Sequence, residues 1–303
     1  MYRKKKGVKM KNIFENKVVD CKEFSNIILD ETKYIIDSLD KKPVLKIYQV
    51  GDNKESNVYV KNKIKKCEKV GIQTKLVKID HYEGKVGGLV YGLMDKIDND
   101  NSNSNIDSVM VQLPLPKGIE KEQVNKIINM IGMSKDVDGL SKLSMIECGY
   151  FNNYKYLPCT SLGILALIRK WMECKKMDDL SGITVAMYGR SDLVNKPLYG
   201  FLDKLNATIT VYHSKSYHDY NPEADIVISA LPIPKVFRNV NCQLFIDVTT
   251  VNIDGKLCGS LDTSNVNGVS HYTSVPGGVG QLTTAMLCYK VALAGSRGKR
   301  FGK

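Results

Sequence analysis

The stretch ITVAMYGRSDLVNKPLYGFLDKLNATITVY, residues 183–212, is the part of the chain that decides its fold. A β-branched run, Ile183 to Gly189, leads into a polar turn and a helical segment, and a second such run, Thr208 to Tyr212, follows. Strand, turn, helix and strand in this order are typical of a mononucleotide-binding α/β unit. Of the usual G-x-G-x-x-G glycines only the first, Gly189, is present, so the turn alone is a weak signal for a nucleotide.

Four further short apolar runs alternate with helical patterns in the rest of the chain. They are Val44 to Val50, Asp107 to Leu113, Ile226 to Ala230 and Leu244 to Val248. The alternation predicts an α/β protein with parallel sheets, and 303 residues suffice for two domains, with a boundary near residue 157. We also expect a polar loop at residues 99–105, a connector at 149–157 and, beyond it, a helix that Thr160 or Ser161 caps.

The composition excludes several classes of protein. Lysine and arginine total 44 against 32 acidic residues, a formal net charge of +12, which suits anionic ligands or a nucleic acid. The lysines are dispersed over helix exteriors and aromatic residues make up only 8%, so a basic nucleic-acid-binding protein is the remote alternative. Apolar runs are too short for a membrane span, and the basic N-terminus, although it could be a targeting extension, lacks a signal-peptide pattern. We expect a cytoplasmic protein with no membrane partner.

Eight cysteines and four histidines bear on redox and metal chemistry. The cysteines contain no C-x-x-C pair, and the histidines, His81, His213, His218 and His271, show no metal-ligand spacing. We therefore expect free buried thiols in a reducing compartment, and no metal. The G-x-S-x-G and P-loop motifs are also missing from the sequence, which disfavours hydrolase-triad and kinase functions.

One lysine stands apart in the segment VYVKNKIKKCEKVG, residues 58–71. At about 100° per residue, Val60, Ile64 and Cys67 form an apolar stripe, and Lys63 lies only about 70° from its centre. The other four lysines are expected to be solvated; they are Lys61, Lys65, Lys66 and Lys69. Tyr59 lies one turn before Lys63 and can reach the same point. A partly desolvated lysine is a candidate acid or base, and the alternative is a snorkelling lysine beside a surface tyrosine.

Two later motifs place polar side chains at a strand end and in a turn. The run VQLPLP ends an apolar strand in Gln112, whose amide could align a neighbouring lysine or a substrate, or merely cap the strand. In KDVDG, Asp136 and Asp138 offer two carboxylates, of which only one need enter a cleft. A salt-bridged loop is the alternative for this second motif.

The turn at Gly189 favours a phosphate group. Arg190 and Ser191 follow the glycine, and the next strand ends in His213-Ser214-Lys215, where an NAD enzyme usually has an acidic residue. A hydroxyl and a cation suit NADP better than NAD, and a polar strand-end loop is the alternative. The glycines of PGGVG, Pro276 to Gly280, could likewise let a ligand approach a helix N-terminus, or form a plain turn.

Together these motifs resemble those of the methylenetetrahydrofolate dehydrogenase/methenyltetrahydrofolate cyclohydrolase family over about residues 18–294. The matching segments are YVKNK from Tyr59, VQLPLP from Val111, KDVDGL from Lys135, PCTSLG from Pro158, GRS from Gly189, HSKS from His213, ADIVISA from Ala224, IDV from Ile246 and PGGVG from Pro276. The resemblance implies oxidation of methylenetetrahydrofolate by hydride transfer to a nicotinamide, then hydrolysis of the methenyl product to formyltetrahydrofolate. This is one-carbon chemistry that serves purine, histidine and methionine biosynthesis.

The resemblance also implies an architecture and partners. Two α/β domains flank a cleft, the second being a Rossmann-like NAD(P)-binding parallel sheet. The first, catalytic and folate-binding, comprises residues 1–157 and is completed by the C-terminal helix, 278–303; the second comprises residues 158–277. The expected assembly is a homodimer, with NADP, or less favourably NAD, as cofactor and a tetrahydrofolate derivative as substrate.

Roles for individual residues follow from the same resemblance. Lys63 matches the catalytic lysine and Tyr59 the tyrosine that stacks on the folate. Gln112 matches the glutamine that holds the lysine, and Asp138 the acid that binds the pterin. The remaining residues expected to bind substrate are Val111, Leu113, Pro276, Gly277 and Gly280. The residues expected to bind the cofactor are Gly189, Arg190, Ser191, Ser214 and Thr250.

The cofactor half departs from the family pattern. Asn195 stands in place of a glycine, Leu231-Pro232 and Thr249-Thr250-Val251 replace glycine-containing sequences, and Gln281-Leu282 replaces Pro-Met. Most of these changes add bulk where a dinucleotide should pass. The alternative function is therefore a cyclohydrolase with weakened or lost dehydrogenase activity.

Overall fold

The computed structural model describes residues 12–80, 86–216 and 220–296. The basic ends of the chain, His81 and His218 lie outside the described residues. The described part divides into two compact units. The first unit comprises Ile28–Leu157 with the residues from Leu287 onward, and the second comprises the residues up to Ile27 with Pro158–Met286.

The first unit is built on a three-stranded parallel sheet. Its strands are β1 (Val44–Val50), β2 (Gln73–Ile79) and β3 (Ser108–Val111), in the order β2-β1-β3. The helices α1 (Cys21–Asp37), α2 (Lys54–Val70), α3 (Val86–Ser102), α4 (Lys121–Asn129) and α5 (Lys142–Phe151) run through this half of the chain, and a short 3-10 turn covers Tyr154–Tyr156. Its core contains fully buried Tyr48, Leu93, Ile97, Val109 and Ile127.

The second unit is built on a five-stranded parallel sheet with the order β10-β7-β6-β4-β5. These strands are β4 (Thr184–Tyr188), β5 (Thr208–Tyr212), β6 (Ile226–Ser229), β7 (Cys242–Asp247) and β10 (Val269–Tyr272), and β8 (Val251–Ile253) and β9 (Lys256–Cys258) form a separate hairpin. Helices α6 (Cys159–Lys175) and α7 (Asn195–Asp203) flank β4, and α8 (Val279–Gly295) ends the described chain. The order reverses at β4, which lies between β5 and β6, and such a switch point is where α/β sheets bind ligands.

The predicted α/β class with parallel sheets is confirmed. Strands β1 and β5 coincide with the predicted runs. Three of the other four runs lose one or two residues at one or both ends, and the fourth, which became β7, begins two residues earlier and ends one residue earlier. The sequence did not predict β2, the β8–β9 hairpin or β10.

Several local predictions were wrong. Residues 99–102 continue α3, so the polar loop is confined to 103–105, and the 149–157 connector holds the end of α5 and the 3-10 turn. Neither Thr160 nor Ser161 caps α6, which begins at Cys159 after Pro158. Ser161 lies inside the helix, and its hydroxyl donates to the carbonyl oxygens of Leu193 and Val194 at 2.9 Å each.

The division into units differs from the predicted domains at the N-terminus and within the last helix. Val18 forms a parallel bridge with Tyr272, and the Val19 amide donates to the Tyr272 carbonyl oxygen at 2.9 Å. The N-terminal segment therefore extends the edge of the second unit's sheet, although it precedes the first unit in sequence. The domain bounds 1–157 with 278–303, and 158–277, stay a prediction.

Candidate active site

Helix α2 carries the lysine that the sequence set apart. Asn53 caps its N-terminus with a side chain that accepts a hydrogen bond from the Ser56 amide, and Gly71, which adopts φ 94°, caps its C-terminus. The helix buries Ser56, Val60, Cys67 and Val70, which turns Lys63 toward the sheet, where it is half-buried. Tyr59 is more exposed, with 52% of its surface accessible, so its ring is available to a ligand.

Lys63 and Gln112 are joined directly. The Lys63 Nζ donates to Gln112 Oε1 at 3.0 Å, and Gln112 is only 7% exposed. The Gln112 amide nitrogen donates to the Leu113 carbonyl oxygen, and its backbone N–H donates to the Tyr48 carbonyl oxygen at 2.8 Å. Because its nitrogen is already engaged, the glutamine must present its oxygen to the lysine. A strand end thus holds the tip of a flexible lysine side chain in one position.

The two carboxylates of KDVDG have different surroundings. Asp136 is buried and accepts hydrogen bonds from the backbone N–H groups of Gly139 and Ser141, each at 2.8 Å. Asp138 is half-buried. Asp136 forms a parallel bridge with Val109, and two residues farther along each segment come Asp138 and Val111. Asp136 therefore fixes the loop that carries Asp138, and this loop is paired with β3 at Val109.

We call Tyr59, Lys63, Gln112 and Asp138 the lysine site. The other two predicted substrate residues of the first unit lie at or beyond the end of β3. Val111 is the last residue of this strand and is buried, and Leu113 is half-buried.

The prediction that the remaining α2 lysines are solvated is wrong for Lys66, which is half-buried. Burial lowers the pKa of Lys66, and the attraction of the Cys288 thiol does not compensate.

We call Gly189, Arg190, Ser191, Ser214 and Thr250 the turn site. Gly189 adopts φ 100°, and a Cβ placed there would meet the Ala230 carbonyl oxygen at 3.4 Å, so the position requires glycine. Its amide donates to the Tyr212 carbonyl oxygen at 2.9 Å. The turn thus lies at the carboxyl end of β4, at the switch point of the sheet.

Asn195 supports this turn and does not obstruct it. It is 2% exposed, and its Nδ2 donates to the carbonyl oxygens of Tyr188 and Gly189 at 2.8 Å each. Leu282 is likewise fully buried, against Gly163 of the same unit. At these two positions the larger side chain, which was expected in the path of a dinucleotide, is packed inside the unit. These two side chains therefore give no support to a loss of dehydrogenase activity.

The side chains of the turn site suit an anionic dinucleotide. Arg190, Ser214, Lys215 and Thr250 are exposed, and Ser191 is half-buried with its hydroxyl accepting from the Leu193 amide at 3.2 Å. Ser214 and Lys215 project from a tight turn that is closed by the hydrogen bond from the His213 amide to Ser216 Oγ at 3.0 Å. A guanidinium, an ammonium and a hydroxyl form a donor set that fits a phosphate, and the one acidic residue of the first turn, Asp192, is engaged with Lys196 at 2.6 Å.

Asp247, which the sequence did not single out, fixes the segment that precedes Thr250. Its carboxylate accepts from the backbone N–H groups of Thr249 at 3.0 Å and Leu261 at 2.9 Å, and from the Ser260 hydroxyl at 3.0 Å. Burial raises the pKa of Asp247 despite these hydrogen bonds. An acidic residue at the end of the apolar run LFIDV was the available signal.

The predicted glycine turn, Pro276 to Gly280, leads into α8. Gly277 has φ 98°, and a Cβ at Gly278 would lie 2.3 Å from the Ser274 carbonyl oxygen, so both positions need glycine for the turn itself. A Cβ at Gly280 would meet no described atom within 4 Å. The exposed residues are Pro276, Gly277 and Gly280, the three predicted to contact substrate.

The described ranges contain neither a group of potential metal ligands nor a membrane-spanning helix. Within the described ranges, no group of three or more His, Cys, Asp or Glu side chains is arranged to hold a metal ion. None of the helices in those ranges is long and apolar enough to cross a membrane.

Comparison with known proteins identifies the family. Residues 19–138 match the catalytic domain, and residues 158–298 the NAD(P)-binding domain, of tetrahydrofolate dehydrogenase/cyclohydrolase. The chain belongs to the tetrahydrofolate dehydrogenase/cyclohydrolase family. A relative from Rickettsia bellii, "Bifunctional protein FolD", is 38% identical over 285 residues, covering 90% of this chain and 95% of the relative.

Solved structures of dehydrogenase/cyclohydrolases agree with this membership. The bifunctional enzyme from Campylobacter jejuni has a TM-score of 0.82 at 30% identity and covers 92% of this chain and 98% of its own. The Trypanosoma brucei enzyme, complexed with NADP cofactor and an inhibitor, has a TM-score of 0.78 at 25% identity and covers 92% and 97%. The predicted function, oxidation of methylenetetrahydrofolate and hydrolysis of the methenyl product, is confirmed, and the nucleic-acid alternative finds no support.

Proposed function

We propose that this dehydrogenase/cyclohydrolase uses Lys63 as its proton-transfer residue and NADP as its hydride acceptor. The observation that carries the proposal is the 3.0 Å hydrogen bond from Lys63 Nζ to the buried Gln112. A lysine fixed by one neutral acceptor can exist as an amine or an ammonium, as a residue that takes and returns a proton must.

The chemistry of the substrate defines the task of the lysine. Loss of hydride from the methylene carbon leaves a cation shared between two ring nitrogens, and a neutral amine beside it avoids charge repulsion. In the hydrolysis, water adds to this carbon and its proton passes to Lys63 Nζ. The ammonium then returns this proton to the ring nitrogen that departs as the carbon–nitrogen bond breaks. The remaining hydroxyl proton of the water adduct is released to solvent as the formyl C=O forms, which leaves the formyl product, a neutral lysine and one proton in solution.

The other residues of the lysine site orient the folate. The half-buried Asp138 accepts hydrogen bonds from the donor edge of the pterin. The exposed Tyr59 ring stacks on the folate, and Val111 and Leu113 line the same strand end. Pro276, Gly277 and Gly280 are proposed as further residues that bind substrate.

The turn site is the proposed cofactor site. NADP, when bound, supplies the acceptor for the hydride. Gly189 lets the backbone approach the pyrophosphate, and Arg190 with Ser214 holds the phosphate that distinguishes NADP from NAD. The exposed cations and the lack of an acidic residue after β5 support NADP over NAD.

Assays of the purified protein test this function. We expect reduction of NADP in the presence of methylenetetrahydrofolate, loss of methenyl absorbance when methenyltetrahydrofolate is supplied, and slower turnover with NAD. Hydrolysis without reduction of either dinucleotide would support the alternative of a cyclohydrolase that has lost its dehydrogenase. Absence of both activities would contradict the proposal.

The proposal extends to assembly and location. We infer a homodimer in the cytoplasm that provides one-carbon units for purine, histidine and methionine biosynthesis, supported by the family resemblance. Light scattering of the purified protein at several concentrations should give twice the mass of the chain, and a monomer mass at micromolar concentration would contradict the dimer.

A further inference from the structure

We propose that Gln49 is a second positioning residue for Lys63, acting from the strand next to that of Gln112. The inference rests on the proposed function of Lys63. It assigns Gln49 Oε1 as the acceptor that stabilises the ammonium form of the lysine during hydrolysis.

Gln49 has a buried oxygen that lacks a partner. The residue is 1% exposed, and its Oε1 forms no hydrogen bond with the described part of the chain. Leaving a buried carbonyl oxygen unpaired costs about 1–3 kcal/mol, so such an atom suggests a partner that arrives during function.

The orientation of the Gln49 amide is fixed by its neighbours. Asp52 is a carboxylate that can only accept, and Asn57 Nδ2 donates to Asp52 Oδ1 at 2.8 Å. Asn57 must therefore present its oxygen to Gln49, whose Nε2 donates to Asn57 Oδ1 at 2.6 Å. The chain Asp52, Asn57, Gln49 leaves the glutamine oxygen as the atom available to a donor, and flipping the amide would break the chain.

The sheet register places Gln49 beside Gln112. Tyr48 of β1 pairs with Val111 of β3 in a parallel ladder, and the Gln112 amide donates to the Tyr48 carbonyl oxygen at 2.8 Å. Gln49 follows Tyr48 and Gln112 follows Val111, so the two side chains leave the same face of neighbouring segments, and neighbouring strands lie about 4.8 Å apart. Lys63 is bound to one of these two neighbouring amides.

The chemistry of the proton transfer explains why two amides are useful. A neutral lysine needs little more than the Gln112 contact, whereas the ammonium has three donors to satisfy. When water adds to the methenyl carbon and its proton moves to Lys63 Nζ, Gln49 Oε1 accepts one of these donors. The contact stabilises the ammonium form, and it is released when the proton passes on to the departing ring nitrogen.

Two substitutions at Gln49 should move the pH dependence of hydrolysis in opposite directions. Gln49→Met keeps the length and removes the acceptor, so the midpoint of the rise of kcat with pH should fall by about one unit, with little change in KM. Gln49→Glu supplies a negative acceptor, so the midpoint should rise. The rates are corrected for hydrolysis without enzyme.

Ser108→Ala is the matched control. Ser108 is also fully buried in this sheet, on β3, and its hydroxyl likewise has no partner in the described structure. We expect its pH profile to match that of the unsubstituted protein. If both Gln49 variants give the unshifted midpoint, or shift it in the same direction, the inference is overturned; thermal unfolding of each variant verifies that it is folded. An active Lys63→Met variant would instead overturn the proposed function itself, whatever the Gln49 variants do.

Discussion

The lysine site and the turn site hold their polar groups in different ways. In the lysine site a side chain fixes a side chain, since Lys63 is bound by Gln112, which is itself bound to the backbone of its strand end. In the turn site the fixed element is the backbone, held by Gly189 and the buried Asn195, and the cation of Arg190 is exposed above it.

This difference matches what each site has to do. Proton transfer depends on the position of one nitrogen atom to within a fraction of an ångström, so its side chain is half-buried and held. Binding a large anion depends on several backbone and side-chain donors together, each of which contributes a moderate amount. We therefore expect substitutions in the lysine site to affect the rate most, and substitutions in the turn site to affect cofactor affinity.

The largest effect is expected for Lys63→Met. Removing the proton-transfer group should lower kcat for methenyl hydrolysis by on the order of 10² to 10⁴. Loss of methenyl absorbance under saturating substrate measures it. Lys65→Met, on the exposed side of the same helix, is the control and should retain full activity.

The next effect is expected for Arg190→Ala. A hydrogen bond to a charged group contributes about 1.5–3 kcal/mol, so KM for NADP should rise about 10- to 100-fold. KM for NAD should hardly change, because NAD lacks the phosphate. Initial rates with both dinucleotides test this, with the exposed Arg169→Ala as the control. An equal loss for NADP and NAD would mean that Arg190 does not read the phosphate.

A smaller effect, on stability, is expected to differ between two glycines, Gly278 just before α8 and Gly280 in its first turn. Gly278→Ala forces a Cβ to 2.3 Å from the Ser274 carbonyl oxygen, so the free energy of unfolding should fall by about 1–3 kcal/mol. Gly280→Ala meets open space and should change it by less than about 0.5 kcal/mol. Denaturant unfolding of the pair measures the difference, and equal stability would contradict the packing described for this turn.

The smallest effect concerns pH and Asp225, in the second unit. Burial raises the pKa of Asp225, but hydrogen bonds from Thr184 and Gln243 outweigh it and hold the pKa below its usual value. A lowered folded-state pKa means that the carboxylate stabilises the fold above its unfolded-state pKa of about 4, and that this stability is lost as the pH falls through the lowered value. The unsubstituted protein should have a higher Tm than Asp225→Asn at neutral pH, and this difference in Tm should shrink in acid. A difference in Tm that stays constant down to the lowest pH at which both proteins fold would contradict this prediction.

Much of the fold was predictable because local patterns and topology agree there. The runs that became β1 and β5 were predicted residue for residue, since short β-branched segments between helical ones favour buried parallel strands. Strand β2 was missed because its residues, QTKLVKI, alternate at the edge of a sheet and include two lysines. Strand β5 is an edge strand too, but its residues, TITVY, are all β-branched or aromatic, which gives a stronger strand signal.

The candidate site was predictable only to the extent that one helix determines it. The angle of Lys63 on α2 separated it from Lys61, Lys65 and Lys69 correctly, but Lys66 was expected in solvent and is half-buried. A helical projection gives the faces of one helix but does not show which elements pack against them. In the same way, two acidic residues in KDVDG are equivalent in sequence, and only the structure shows that Asp136 is buried and holds the loop through the amides of Gly139 and Ser141, whereas Asp138 is half-buried.

The sequence by itself determined the α/β class, the family and the lysine at the edge of a buried helical face, because periodicity and ordered motifs are properties of the chain alone. The tertiary structure decided the rest. It joined Lys63 to Gln112 across 49 positions of sequence, engaged Asn195 beneath the turn and set Gln49 beside Gln112. Such contacts depend on strand register and on the burial that neighbouring elements impose, and neither is encoded in the spacing of any single segment.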